Sequence, residues 1–417
     1  MISASLCISC KGRYWCGLSK CPILEKFSAK QMALQAFFGR EFEGSSPPSV
    51  FVSWTNYPNV SIAPLAPPVV SEKNAVMDDP EHWFGLPSEK IVSMRSQLIQ
   101  SKTPAKVTSA ANPSVALSDL QELAMSEKPV QAEFELWEKP RLNLSFHEGT
   151  APMGPTGNLK KMVLRENIRV PKKVDYLVSD TAVKSGTAIR ELYESDFSVH
   201  FLTKLLSAGN LGIKKDRTLV PTRWSITAVD DSVSKYLIEE FVKDFQVIGE
   251  LELFHAVYSD NHFWVLLVPQ NWGFEMMECW LPGSPWTLQD SDYQKSQIYA
   301  VIEDFEFYSG RTAYADNITG AYYACRLAVA EHLVNRKRQA TAIVFREIGS
   351  GYVSPLGVWV IRETVRYALK QKSLFFSDLN LVLAFLKERL KTPLENFQKK
   401  SVLLDSLKNQ SRLSKWF

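Results

Sequence analysis

The sequence predicts a mixed body of helices and strands, α/β or α+β, with a four-cysteine metal loop near its start and a peptide motif near its end. Three observations predict it. Strand-like and helix-like segments alternate from Val130 onward. Four of the six cysteines fall within the first 21 residues. The last eight residues, QSRLSKWF, set a leucine and two aromatics at helical spacing.

Composition bounds the rest. With 417 residues, 45% hydrophobic and 22% charged, the chain can bury two or three cores. No apolar run approaches the ~18 residues of a membrane span. The opening MISASLCISCKGRYW lacks the basic start and apolar stretch of a secretory signal. A cytoplasmic protein without a membrane partner is expected. The net charge of +3 is too small to argue for nucleic acid by itself. Its distribution says more: from Lys387 to Phe417 the chain carries +5, and the remainder is about −2. A basic end suits DNA or an acidic protein surface; a solvated helical face is the plainer alternative.

The first cysteines, Cys7, Cys10, Cys16 and Cys21, have the spacing C-x2-C-x5-C-x4-C. Four thiolates in one short loop can close a tetrahedron around Zn²⁺ with no open position, which is a structural site. Gly12 and Gly17 permit the turns, and Lys11, Arg13 and Lys20 offset the thiolate charge. Few apolar residues surround the loop, so metal would supply its folding free energy. Two disulfides or an iron–sulfur cluster are the rival readings. Cys279 and Cys325 sit among aromatics and small apolar residues and read as buried thiols.

In chain order, a helix is expected over 25–38, then short β pieces at Ser49–Trp54 and Asn59–Ile62. DDPEHW, from Asp78, reads as the start of a helix running to Leu98, and 101–115 as a polar surface loop. Lys173–Val178 reads as a strand; Asp180–Tyr193 and Phe197–Ala208 read as helices, the second ending at Gly209. Ser232–Phe245 reads as an amphipathic helix. Leu251–Tyr258 and His262–Val268 make the clearest hairpin. A helix at Ala321–Arg336, a strand at Thr341–Glu347, a GSGY turn and helices at Leu356–Lys370 and Leu379–Lys391 complete the body, with Ser377 or Asp378 as the last N-cap. The tail from Pro393 is one more amphipathic helix. The domains expected are a metal loop at 1–24, an α/β body at 25–310, a helix–strand–helix unit at 311–392 and a basic tail at 393–417.

No P-loop, G-x-G-x-x-G, H-E-x-x-H or G-x-S-x-G is present, and the six histidines are scattered. Charged constellations remain. RWSITAVDD sets Arg223 near Asp230 and Asp231 after a short β-rich piece, where paired aspartates could hold Mg²⁺ as nucleases do. The plainer reading is a helix N-cap at Asp231-Ser232. Arg346 with Arg362 and Arg366 could form an anion or DNA pocket, and Arg326, with Arg311 and Asp316, could bind phosphate at a helix start. Structural ion pairs are the alternative.

The terminal octet has a sharper form. Leu413, Trp416 and Phe417 fall at i, i+3 and i+4, so one helical turn puts all three on one side. Gln410, one turn earlier, can hydrogen-bond a pocket rim. This is the form of the PCNA-interacting peptide, Q-x-x-(aliphatic)-x-x-(aromatic)-(aromatic). Docking of the tail on its own core is the competing reading.

Several stretches carry a wider resemblance: CKGRYWCGLSKCP, SPPSVFV with NYPNV, DDPEHWFG, LLSAGNLG, LVPTRWSITAVDD, DNITGAYYACRLAVAEHL with FREI, and PLGVWVIRETVR. Through them the chain resembles the archaeal Nre DNA repair family along most of its length. The resemblance implies a DNA-damage role, sliding-clamp binding through Gln410–Phe417 and a zinc finger on Cys7, Cys10, Cys16 and Cys21. Ser53-Trp54-Thr55 departs from the Gly/Arg-type turn expected after SPPSVFV, which leaves the role of that turn open. The leading expectation is a clamp-tethered repair factor. A clamp-tethered metal-dependent nuclease or phosphoesterase, and a non-enzymatic adaptor, are the alternatives.

Overall fold

The computed structural model describes residues 39–141, 153–282, 299–352 and 355–413, with Cys10, Arg13–Trp15, Cys21, Leu24 and Ser284; side chains are described as far as Asn409. The helix expected over 25–38 lies outside them, apart from its flanks. The chain divides into two compact units, one of residues 22–233 and one of residues 1–21 with 234–417.

The first unit is built on a six-stranded sheet of order β1-β5-β6-β4-β3-β2. Its strands are β1 (Glu41–Ser46), β2 (Val50–Val52), β3 (Asn59–Ala66), β4 (Ile99–Lys106), β5 (Val130–Leu136) and β6 (Thr156–Leu164). All neighbours are antiparallel except β4 and β6. The segment 101–115, expected as a loop, begins as strand and continues as a 3₁₀ turn over Val107–Ala111: β4 pairs β3, and β6 over Gln100–Lys102. Polarity disguised it. Pro104 stands where β3 is the paired neighbour, an edge position that tolerates a residue without an N–H.

Helices α1 (Ser88–Ser96), α2 (Val115–Ala124), α3 (Lys172–Ser179), α4 (Ser185–Glu194), α5 (Val199–Ser207) and α6 (Thr222–Glu240) follow the chain around this sheet. Val52, Ile62, Leu120, Leu123, Val130 and Leu219 form one core cluster. Phe42 stacks on Phe134 at 4.7 Å in a second. Lys173–Val178, expected as a strand, is instead helix α3: Pro171 sits at its N-cap position, and Val174 and Leu177 bury one face at i, i+3. DDPEHW does not launch a long helix. A 3₁₀ turn, Glu72–Asp78, ends there; a second, Pro80–His82, begins at Pro80, and α1 begins only after Pro87. Helix α5 ends as expected, with Gly209 at φ +76°.

Helix α6 starts ten residues earlier than expected. Its buried residues Ser225, Val229, Val233 and Leu237 recur every fourth position, and Asp230 lies beside that stripe. RWSITA is therefore helix, not a β-rich piece, and Asp231-Ser232 lies mid-helix rather than at its cap.

The second unit has a sheet of order β10-β9-β11-β8-β7-β12. Its strands are β7 (Leu251–Tyr258), β8 (Asn261–Val268), β9 (Gly273–Trp280), β10 (Val301–Glu306), β11 (Thr341–Ile348) and β12 (Leu374–Phe376). The expected hairpin is present: Ser259 and Asp260 both take left-handed angles, φ 50° and 55°, as a two-residue type I′ turn requires. GSGY closes over that turn. Gly351 N–H donates to Asp260 Oδ2 at 2.7 Å, and a side chain at Gly349 would strike the same carboxylate.

Strand β11 is buried along its whole length, parallel to β9 and antiparallel to β8. Helices α7 (Gly320–Arg336) and α8 (Trp359–Lys370) pack together, and α8 contacts β7 and β8. A core cluster of Trp264, Met277, Ile343 and Phe345 joins α9 (Leu379–Lys387), α10 (Leu394–Lys400) and α11 (Val402–Leu413) through Leu386, Phe397 and Leu404. Asp378 caps α9, its side chain accepting from Asn380 N–H at 2.7 Å. The tail, expected as one helix, is two, broken at Ser401.

Cys279 and Cys325 are fully buried, and burial pushes the Cys279 thiol up to about 12, so both stay protonated as the sequence suggested. Two histidines behave in the opposite sense. Burial lowers His200 and His332 from 6.5 to about 4, so the fold holds both neutral. The stability they contribute is complete above pH 6.5 and is lost as pH falls from 6.5 toward 4. Thermal melts should show a loss on the order of 1 kcal/mol per histidine between pH 6.5 and 5. A His200→Gln, His332→Gln variant should be flatter over that window.

Candidate functional site

Most of the family-like stretches of the first unit meet around Thr222, the first residue of α6. Thr222 Oγ1 accepts from the Val52 N–H at 2.9 Å, joining LVPTRW to SPPSVFV. It also shares a hydrogen bond of 2.9 Å with Ser207 Oγ, in LLSAGNLG. Ser207 Oγ donates to the Val220 carbonyl at 2.9 Å, and the Val107 N–H donates to the Pro58 carbonyl at 3.1 Å. The turn of NYPNV is thereby fixed beside the start of α6, and the Tyr57 and Trp224 rings lie 5.0 Å apart.

DDPEHWFG is a second cluster in this unit. Asp78 pairs with Arg95, and His200 Nε2 donates to the Asp78 carbonyl at 2.7 Å. Trp83 is buried, with Nε1 donating to the Val76 carbonyl at 2.5 Å. Burial pushes the Lys204 ammonium down, while Asp78, Asp79 and Glu81 pull it back up. These groups are satisfied mutually, which suits a structural clasp.

Asp230 and Asp231 are successive residues of α6, so their side chains diverge by about 100° around the helix. Asp230 is buried and Asp231 half-buried. As a pair they do not converge on one Mg²⁺. Arg223, the second residue of α6, is exposed.

The arginines read as an anion or DNA pocket all carry carboxylate partners. Arg346 Nη1 donates to Glu278 at 2.5 Å, and its other nitrogens hold Asn261 Oδ1. Arg326 pairs with Glu306 at 2.7 Å and holds Ser234 Oγ. Arg366 grips Glu331 at 2.6 and 2.7 Å and Glu363 at 2.8 Å, and Arg362 lies 3.5 Å from Glu363. Arg311 pairs with Asp304 at 3.0 Å. An incoming anion would compete at each place with a built-in carboxylate.

Of the metal loop, Cys10 and Cys21 are described, and both are buried. Trp15 N–H donates to Cys10 Sγ at 3.3 Å, and Arg13 N–H to the Cys10 carbonyl at 2.9 Å. A backbone N–H aimed at sulfur suits a thiolate ligand, so these residues fit the metal expected of them. Cys7 and Cys16 lie outside the described residues. Among the described residues, no three His, Cys, Asp or Glu side chains converge as metal ligands.

The tail is reached through α11. Glu275, fully buried on β9, caps this helix: Oε1 accepts from the Val402 N–H at 2.6 Å and the Leu403 N–H at 3.4 Å, and Oε2 accepts from Ser401 Oγ. Burial raises the Glu275 carboxyl above its usual range against the pull of these donors. The backbone is helical to Leu413. The side chains of Gln410 and Leu413, and all of Trp416 and Phe417, lie outside the described residues.

Two family models cover the chain: that of the archaeal Nre N-terminal region matches residues 15–287, and that of the C-terminal region matches residues 306–416. Curated relatives agree. The chain is 36% identical over 398 residues to a protein of Archaeoglobus fulgidus named DNA repair protein NreB, covering 95% of this chain and 96% of that one. It is 36% identical to the Haloferax volcanii DNA repair protein NreA, over 88% of each chain. It is 34% identical to NreA of Archaeoglobus fulgidus, covering 92% of this chain and 93% of that one. The chain belongs to the archaeal Nre family. No solved structure matches it.

The aromatic surface at Tyr57 and Trp224 escaped sequence reading, because its parts come from distant segments. The unusual turn at Ser53-Trp54-Thr55 was the available signal. The Glu275 cap generates a prediction: Glu275→Ala removes the acceptor of the Val402 and Leu403 N–H groups and of the Ser401 hydroxyl and should cost about 1–3 kcal/mol. Amide exchange should accelerate first at Val402 and Leu403.

Proposed function

We propose that this protein is a DNA repair factor recruited to DNA by the sliding clamp PCNA. The observation that carries the reading is the octet QSRLSKWF. Leu413, Trp416 and Phe417 would enter an apolar pocket of the clamp as one helical plug, with Gln410 bonding at the rim. Three such side chains provide several kcal/mol of burial, enough after ordering costs for a micromolar complex near about −8 kcal/mol. The names of the curated relatives support a repair role. Further support comes from α11, whose first turn is rooted by Glu275 while its far end leads into the motif.

A structural Zn²⁺ would be held by Cys7, Cys10, Cys16 and Cys21, closing a loop too poor in apolar residues to fold by itself. Bound there, zinc supplies folding free energy; the chain supplies the thiolates and the Trp15 N–H. The protein would act in the cytoplasm, on the nucleoid when clamp-bound. Among the described residues, no helix is long and apolar enough to cross a membrane.

Calorimetric titration of the intact chain, and of one ending at Asn409, against the sliding clamp of the same organism tests the recruitment. The intact chain should bind near micromolar and the shortened one not measurably. Equal binding, or none by either, would return the motif to its own core. Elemental analysis of the purified protein should find one zinc per chain, lost on replacing Cys10 and Cys21 by alanine.

A further inference from the structure

We infer that the surface formed by Trp54, Tyr57, Trp224 and Arg223 binds single-stranded DNA by stacking unpaired bases. This deepens the DNA repair reading and rests on it, but its evidence comes from the first unit alone.

The rings are large and open to solvent: Trp54 is 55% exposed, Tyr57 52% and Trp224 45%. Exposing an aromatic ring forgoes its burial, so grouped exposed rings mark a surface kept for a partner. Tyr57 and Trp224 stand 5.0 Å apart with ring planes inclined by 56°. Trp54 belongs to the same turn, its carbonyl accepting from the Tyr57 N–H at 3.3 Å. The platform is held from beneath: Asn56 adopts φ +64°, Asn59 N–H donates to the Asn56 carbonyl at 2.8 Å, and Thr222 ties the start of α6 to β2. Its geometry is set before any partner arrives, which lowers the ordering cost of binding.

Charge identifies the partner. The segments meeting here, 44–70, 99–112 and 217–229, contain Lys102, Lys106, Arg217 and Arg223 but no aspartate or glutamate. Glu43, Asp216 and Asp230 flank these segments, but within them every charge is positive, which suits an anion. Arg223 and Lys106 are exposed and have no carboxylate partner among the described residues. Lys106 is the register partner of Asn59, beside the aromatic turn. The buried arginines of the second unit are committed to carboxylates, and Arg217 to the carbonyls of Gly212, Val178 and Asp180; Arg223 and Lys106 remain available. Aromatic faces beside free cations, with the Asn56 and Asn59 amides exposed to reach base edges, are what an unpaired strand requires. A paired duplex hides its base faces and could use the cations alone.

The test uses the full-length protein and a fluorescein-labelled oligothymidylate longer than one ~16-nucleotide site. Anisotropy is read over a salt series, with a duplex of equal length and an RNA strand as comparators. The intact protein should bind the single strand more tightly than the duplex. Trp224→Ala and Tyr57→Ala should each weaken single-strand binding about 5- to 150-fold. Trp224→Phe should restore most of the loss, and Arg223→Ala should flatten the salt dependence by about 0.7 in logarithmic slope. All three substituted side chains are on the surface, and a thermal melt of each variant shows whether the fold is intact. Where one variant fails to fold, the other two carry the test.

Unchanged single-strand affinity in folded Trp224→Ala and Tyr57→Ala would overturn the inference. Equal weakening of duplex and single strand would also overturn it, by removing base stacking. Tighter binding of RNA than of DNA would overturn the assignment to DNA. If the protein binds its clamp but no single-stranded DNA, the inference fails while the repair reading stands. If stacking holds and the clamp titration fails, the recruitment reading fails instead.

Discussion

Buried carboxylates organise the second unit. Glu252, Glu275, Glu278, Asp304, Glu306 and Glu347 all lie inside or at the edge of one sheet. A buried carboxylate is tolerated only with a partner, because desolvation otherwise costs several kcal/mol. Each partner here comes from a different part of the chain. Glu306 takes Arg326 of α7, and Glu252 takes Arg336 at its end. Asp304 takes Arg311 and the Ile318 N–H, Glu347 takes the Thr392 N–H, and Glu275 takes the first turn of α11. The sheet thus fixes its helices by polar bonds as well as apolar packing, and a slip of any helix would strand a charge.

That constraint explains where anion binding cannot easily occur. Arginines grouped in sequence near a strand end and a helix start look like a phosphate site. In the fold they are the counter-charges that let the sheet bury its acids. Net charge carries no hint of this, because paired charges cancel in it whether buried or not. Arg223 and Lys106, without carboxylate partners among the described residues, stand in the other unit.

The legible parts of the fold were those whose pattern is local. Leu251–Tyr258 and Asn261–Val268 alternate around a Ser-Asp turn, and Gly320–Arg336 has helical periodicity under a small-residue composition. Illegible parts were those whose conformation is decided by partners far away. Ile99–Lys106 is polar and carries a proline, yet two neighbouring strands hold it extended. Lys172–Ser179 has β-rich residues, but Pro171 and burial of Val174 and Leu177 make it a helix. RWSITA is β-branched and still extends α6, because Ser225 and Val229 continue its buried stripe. The same limit applies to sites. The cysteine loop and the octet are contiguous and can be read by spacing. No spacing relates Tyr57 to Trp224.

The two proposed binding elements would divide the work physically. A stacking platform of three rings and two cations binds a strand weakly and with little regard to sequence, since every base presents a π face. Alone it would be occupied wherever single strands are abundant. The proposed clamp motif on the same chain would change the arithmetic: once tethered, the platform would meet DNA at an effective concentration set by the tether rather than by the cell. A modest site then suffices, and raising its intrinsic affinity would lose the discrimination that recruitment provides. A net charge of +3, far from strongly basic, suits this arrangement. A strongly basic body would bind duplex everywhere through its phosphates and leave the clamp nothing to decide.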